Sequence, residues 1–336
     1  MQPMQAPDPA TTTSWADVPD PWMHHMRRGE WERAWAFSDS LLPERAARAC
    51  THLPRHFQYV WTGAPLHGKR VLVRCYHGIG DTVQFIRYAS LLKAVASEVI
   101  VWAQPSLLSL LAGVDGIDRL LPLHDGTPDV DYDVDVELME LPHVFRTTLA
   151  NVPARIPYLH VDAMPLPWDG DRPVIGLVWR AGDWNEARSI PYGLLAPFAR
   201  LDGVRIVILQ PDAASAGWNG EFGWHPGELD IPGFACAVRA LDLLVTIDSM
   251  PAHVGGALGV PTWTLLHADA DWRWMDDRHD SPWYPGMRLF RQRQAGDWSG
   301  VIAEVLASLP EFFAASQGAR DQRRPRRLTS APVRPR

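Results

Sequence analysis

Apolar residues along the chain fall into short unbroken runs, set between stretches with helical spacing. Val71–Cys75, Val99–Ala103, Val174–Trp179, Val204–Leu209, Leu243–Ile247 and Thr262–Leu266 read as strands buried on both faces, the habit of parallel sheets. Arg119–Pro122 and Met287–Phe290 are shorter strands of the same kind. Between them lie helical segments at Thr82–Val95, with Val83, Ile86, Leu91 and Leu92 on its apolar positions, and at Pro105–Ala112, Leu194–Leu201, Phe234–Leu241 and Gly300–Phe313. Strand, Gly turn, helix, strand is the opening of a doubly wound domain, and the chain runs through that order twice. Pro165–Pro173 (PLPWDGDRP) marks the linker between the two passes.

The stretch Leu241–Leu266, LDLLVTIDSMPAHVGGALGVPTWTLL, organises the second pass. A strand stops at Asp248-Ser249, residue types that cap a helix, and Pro251 suits the first helical turn. Ala252–Leu258 is small and Gly-rich, so this helix lies close to a neighbour, and Gly259 with Pro261 ends it. A helix N-terminus at a strand's C-terminal end offers free N–H groups and about half a unit of positive charge, which suits a diphosphate. The other Gly turn, His77-Gly78-Ile79-Gly80-Asp81, has neither a dinucleotide fingerprint nor the Lys-Ser/Thr of a phosphate loop.

Trp22–Leu42 reads as two helices, and Gly29-Glu30-Trp31 with Ala34 and Leu41 matches half of a tetratricopeptide unit. One such unit cannot bury its own face, so these helices are expected to pack on the domain that follows. Residues 1–19 and 317–336 are too polar and Pro-rich to fold, and the last 17 residues carry seven Arg and one Asp. The net charge of -7 therefore hides a body of -7 - 6 = -13, which argues against nucleic acid as a ligand. Cys50, Cys75 and Cys236 are far apart and fit a reducing compartment. No basic and apolar leader precedes the body and no apolar run approaches the ~20 residues of a membrane span, so a cytoplasmic protein with at most peripheral membrane contact is expected.

Asp129, Asp131, Asp133, Asp135 and Glu137 alternate with Val and Tyr, which puts five carboxylates on one strand face. Two readings stand, a divalent-metal site and a solvated acidic edge. The second is favoured, because no other cluster has ligand spacing. Two α/β domains place a cleft at the C-terminal edges of their sheets. Asp81 faces it from the first domain. Arg180, Arg188, Gln210, Asp248, the Ser249–His253 helix start and the Asp271–Trp274 loop face it from the second. One carboxylate for use as a base, cationic groups and a helix start suit transfer from a nucleotide-diphosphate sugar with no metal. Asp81 also reads as a cap of its helix, His253 as a packed histidine and Arg188 as an ion-pair residue.

GIGDTVQFIRY at Gly78–Tyr88, RSIP at Arg188–Pro191, IDSMPAHVGGALGVPTW at Ile247–Trp263, and DWRW with DSPWYPGMRLFRQ within Asp271–Gln292 carry a more specific likeness. In these motifs, from Trp61 to Leu309, the chain resembles the bacterial tetratricopeptide-associated glycosyltransferases. Those are related to the ADP-heptose:lipopolysaccharide heptosyltransferases of glycosyltransferase family nine. The resemblance implies an α/β GT-B fold, two Rossmann-like domains facing a cleft, and metal-independent, cofactor-free transfer with inversion at the anomeric carbon. It implies Asp81 as the base and His253 beside it in catalysis. The donor would be held by Arg180, Arg188, Gln210, Asp248 and His253, with Ser249, Met250 and Ala252 in the phosphate loop. His77, Gly78, Gly80, Gln84 and Trp272 fall on the acceptor side. The chain departs from the pattern at Tyr76-His77, at Asp183-Trp184 and at Pro251, which takes one N–H out of the phosphate loop.

The organisation expected is a lead-in over 1–19, a helical hairpin over 20–60, an acceptor domain over 61–165, a nucleotide-sugar domain over 166–295, a helix over 296–316 and a tail over 317–336. The function expected is glycosyl transfer to a glycan, a lipid-linked glycan or a protein. Two alternatives stand: a non-catalytic scaffold on a decayed transferase fold, and a sugar-nucleotide epimerase.

Overall fold

The structure, a computed structural model, describes residues 20–168, 172–182 and 185–323, with side chains through residue 315. The lead-in over 1–19, residues 169–171 of the linker, Asp183-Trp184 and residues 324–336 of the tail lie outside the described residues. Two helices, α1 (Pro21–Arg27) and α2 (Trp31–Ala47), come first. The Asp20 side chain caps α1 by accepting the Met23 N–H.

The apolar runs become two parallel sheets. β1 (Arg70–Arg74), β2 (Glu98–Ala103), β3 (Arg119–Pro122) and β4 (Val134–Glu137) pair in the order β3-β2-β1-β4. β5 (Val174–Leu177), β6 (Arg205–Ile208), β7 (Leu243–Ile247), β8 (Thr262–Leu266) and β9 (Met287–Arg291) pair in the order β6-β5-β7-β8-β9. Every residue of β7 and β8 is buried, which is why these strands are apolar without alternation. The first sheet carries α3 (Ile79–Phe85), α4 (Ala89–Lys93), α5 (Leu108–Leu111) and α6 (Leu141–Val144). The second carries α7 (Ile231–Arg239), α8 (Met250–Leu258) and α9 (Trp298–Arg323). Strand order reverses at β1 and again at β5, and ligands of such sheets bind at those switch points.

Several elements differ from the sequence expectation. The helix expected over Thr82–Val95 is broken at a 3-10 turn, Ile86–Tyr88, where Arg87 turns inward. Leu194–Leu201 lies in 3-10 turns over Tyr192–Arg200, with Pro197 inside the run denying an α-helical hydrogen bond. Only Val134–Glu137 of the acidic stretch pairs as a strand. The last helix is described to Arg323, with Pro310 inside it, and so takes in residues assigned above to an unfolded tail. Trp298–Ala315 of that helix is long and apolar enough to cross a membrane by length and composition, contrary to the expectation. Its Trp298, Val301, Ile302, Val305 and Leu309 are buried in the core around the second sheet.

The two sheets are joined through one continuous core, with α3 packed on α8. Polar ties cross the same boundary. The buried Arg87 guanidinium donates to the Trp283 carbonyl and, at 2.9 Å, to the Tyr158 hydroxyl. The Tyr158 and Leu159 N–H groups donate to the Ala257 carbonyl at 3.1 and 3.3 Å, so the inter-sheet segment lies against α8. The helical pair bridges both halves. From α2, Trp35 donates to the Thr147 carbonyl, Asp39 pairs with His143 and Arg146, and Arg45 pairs with Glu140. From the other end, Trp22 meets Trp272 edge-on at 5.3 Å and Trp31 stacks on Trp283 at 5.1 Å.

Candidate active site

A cleft of about 890 Å³ lies at the C-terminal ends of both sheets. β1 leads to Gly78, Gly80 and Asp81 on one wall. On the facing wall β5 leads to Arg180 and Arg188, β6 to Gln210, β7 to Asp248–Pro251 and His253, and β8 to His267, Asp269–Asp271 and Arg273. The cleft therefore gathers Gly78, Gly80, Asp81, Arg180, Arg188, Gln210, Asp248, Ser249, Met250 and His253. Four expected residues are not on its surface: His77, Gln84, Ala252 and Trp272. Ala252 is fully buried inside α8, and its N–H is taken by the Ser249 carbonyl at 3.0 Å. Trp272 is packed between Trp22 and Phe85. His77 lies against the buried Glu137 carboxylate at 2.9 Å, which raises its pKa against the opposing effect of burial. Gln84 is buried and spends its side-chain oxygen on Arg273 at 2.7 Å.

Arg273 had no assigned role from sequence, yet it ties the two walls together. Its buried guanidinium donates to Gln84 Oε1, to Asp271 Oδ1 at 2.8 Å and to Asp81 Oδ1 at 2.5 Å. Burial opposes its charge, and the Asp271 and Asp81 carboxylates more than compensate. The signal was a lone cation between two Trp in DWRW, a residue that must find carboxylates if it is buried. The other Asp81 oxygen accepts the Gly78 N–H at 2.9 Å, so Asp81 caps α3 and faces the cleft at once.

α8 presents its N-terminus to the same space. Ser249 is its N-cap, with extended backbone and no side-chain cap bond, and the buried Ser249 Oγ has no hydrogen-bond partner among the described residues. With Pro251 lacking an N–H and Ala252 bonded, this cradle relies on Met250, the Ser249 hydroxyl and nearby side chains rather than on a row of amides. Arg188 Nη1 donates to the Asp248 carbonyl at 2.8 Å, which fixes the guanidinium beside the cradle. Burial and the neighbouring Asp271 raise the Asp248 carboxyl to about 6, against the pull of Trp274 and Arg188. Burial keeps the His253 imidazole neutral, helped by the Arg273 charge. Its Nδ1 meets the Tyr284 hydroxyl at 3.0 Å and its ring stacks on Trp274 at 5.5 Å.

Two glycines allow this convergence. A Cβ on Gly80 would lie 3.0 Å from His253 Cδ2 and 3.3 Å from Met250 Cα, so α3 and α8 meet tip to tip only without a side chain there. A Cβ on Gly256 would lie 2.3 Å from the Tyr284 ring. Gln210 accepts the Trp179 and Arg180 N–H groups at 3.0 and 2.8 Å, holding the end of β5 in place.

The acidic stretch is neutralised from the neighbouring strand. Asp133 pairs with Arg70 at 2.9 Å and Asp135 with Arg74 at 2.8 Å. Among the described residues no three His, Cys, Asp or Glu side chains converge as a metal-holding group.

No family model matches the chain. It is 26% identical to Protein FlbA of Caulobacter vibrioides over 301 residues, 76% of this chain and 48% of that one, so it spans about half the length of this curated relative. Among solved structures it resembles a glycosyl transferase family 9 protein from Veillonella parvula, with a TM-score of 0.57 at 13% identity, over 75% of this chain and 99% of that one. The E. coli ADP-heptose LPS heptosyltransferase II matches with a TM-score of 0.52 at 16% identity, over 74% and 99%. The iron-containing heptosyltransferase TibC, determined in complex with ADP-D-beta-D-heptose, matches with a TM-score of 0.51 at 13% identity, over 70% and 66%. The chain thus has the parallel α/β fold of the family 9 and heptosyltransferase structures.

Proposed function

We propose that the protein is a glycosyltransferase that moves a sugar from a nucleoside-diphosphate sugar to an acceptor hydroxyl, without a metal and with inversion. The observation that carries this reading is one cleft in which the Asp81 carboxylate stands across from an anion cradle of Ser249, Met250, Arg180 and Arg188. Asp81 takes the acceptor O–H proton as that oxygen bonds to the anomeric carbon. The bond from that carbon to the diphosphate oxygen breaks with its electron pair, and Arg188 and the α8 N-terminus hold the charge released. Attack from the Asp81 side, opposite the leaving group, inverts the carbon. On this reading the two sheets form the two domains of a GT-B enzyme, and the acceptor is a glycan, a lipid-linked glycan or a protein.

A thermal-shift screen with ADP, UDP, GDP and dTDP and their sugars, with and without EDTA, tests the reading. One nucleotide at ~100 times its dissociation constant should add about 2.7 kcal/mol of stability, unchanged by EDTA. With the donor so identified, Asp81→Asn should cost at least about 100-fold in turnover while binding persists. A shift that appears only with Mg²⁺, or full turnover in Asp81→Asn, overturns the mechanism. No shift with any nucleotide favours a non-catalytic binding protein.

A further inference from the structure

The cleft has a wall that belongs to neither sheet. α1 contributes Met23 and Arg27 to it, beside Asp269 from the β8 loop. We propose that Arg27 and Asp269 form the subsite that recognises the hydroxyl groups of the transferred sugar, an inference that rests on the glycosyltransferase reading.

Bonds between the loops that line the cleft give it a direction. Arg188 is fixed on the Asp248 carbonyl just before the α8 N-terminus, and Arg180, Val178, Ala181 and Pro211 line the cleft after β5 and β6, with apolar side chains suited to a nucleobase. The loop after β8 brings Asp269 and Asp271 to the same cleft, with Asp271 held by Arg273 at 2.8 Å. Asp81 is bound to Arg273 of this loop, so on the glycosyltransferase reading the carbon under attack lies beside the loop and the nucleoside lies toward β5 and β6. Arg27 lines the same cleft and is bonded to Asp269 of that loop.

The chemistry at that end suits neutral hydroxyls. Arg27 Nε donates to Asp276 Oδ1 at 2.8 Å and Nη1 to Asp269 Oδ1 at 2.5 Å. The Asp276 N–H in turn donates to the Arg27 carbonyl at 3.1 Å, so the guanidinium is held at both ends of its residue. Its Nη2 has no acceptor among the described residues, and the Asp269 side chain is 85% exposed with its second oxygen open. A fixed donor next to a fixed carboxylate matches adjacent sugar hydroxyls, each of which both donates and accepts. Arg27 is matched by two carboxylates, Asp269 and Asp276, so the subsite has no net positive charge to compete for the diphosphate.

Isothermal titration of the full chain with each nucleoside diphosphate and its sugar, ADP against ADP-heptose and UDP against UDP-glucose first, tests this. Arg27→Ala should weaken the nucleotide sugar about tenfold and the free diphosphate less than about twofold, and Asp269→Asn should weaken only the sugar form, about fivefold. Retained diphosphate affinity shows that the variant is folded. Asp269→Asn guards against loss of fold in Arg27→Ala, because Asp269 is exposed. Equal weakening of both ligands in both variants, or no weakening in either, overturns the subsite while leaving the glycosyltransferase reading intact. If the wild-type chain binds none of the diphosphates or their sugars, both fall together.

Discussion

Two side chains in the cleft set its response to pH and mutation. An unfolded chain releases the Asp248 proton near 3.8, whereas the buried carboxyl in the folded protein holds it to about 6. Between those values the folded state binds the extra proton, so stability falls as pH rises from about 4 to 6 and levels off above. Asp248→Asn should remove this slope, on the order of 2 kcal/mol over that window. Urea melts of both proteins at several pH values check it, and parallel profiles would refute the shift. Arg273 gives the second case. Arg273→Met leaves Asp271, Asp81 and Gln84 without their shared donor, and breaking a buried pair by removing one member costs about 3–5 kcal/mol. Urea denaturation should show that loss. Arg273→Lys should recover only part of it, because an ammonium cannot span three acceptors in one plane.

α8 converts small residues into a site. Its glycines let it sink between β7, β8 and the Tyr284 ring, which brings its N-terminus level with that of α3. Gly256→Ala puts a methyl group where the ring now stands, so we expect a loss of about 1–3 kcal/mol in denaturant unfolding. Gly80→Ala is milder in stability, because its contacts are near 3 Å. It should act on the site by pushing the α3 tip away from Met250 and His253. Nucleotide affinity in this variant should fall more than its melting temperature implies. The glycine content of α8 was legible from sequence, as was the need for a close neighbour. The identity of that neighbour was not, since Tyr284 lies on a loop with no periodic signal.

The two sheets are bound to each other more tightly than a linker requires. Arg87 to Trp283, Arg273 to Asp81, the Tyr158–Leu159 contact with α8 and the α1–α2 bridge all cross the boundary. The protein should therefore unfold in calorimetry as one cooperative transition, with calorimetric and van't Hoff enthalpies equal; two resolved transitions would contradict the shared core. Trp31, fully buried on Trp283, is the test position in the bridge. Trp31→Ala should cost about 3–5 kcal/mol and split the transition or lower it as a whole.

Local chemistry made much of this legible in advance. Parallel strands buried on both faces write themselves as apolar runs. A helix start after such a strand is marked by Asp248, Ser249 and Pro251, so the β7–α8 unit could be placed to within a residue or two. The GIGD turn and Asp81 followed for the same reason. Which residues face the cleft and which pack behind it had no local mark. Gln84, Trp272 and His77 sit within motifs that reach the site, yet their side chains turn into the interior. Arg273 and Arg27 gain their meaning from carboxylates 192 and 242 positions away. The acidic stretch reads as a solvated edge more than as a metal site, and its actual partners, Arg70 and Arg74 of β1, stand 63 and 61 positions away. Backbone hydrogen bonding and hydrophobic period act over a few residues, so the chain displays them directly. Charge pairing and burial act through space, and only the folded chain decides who meets whom.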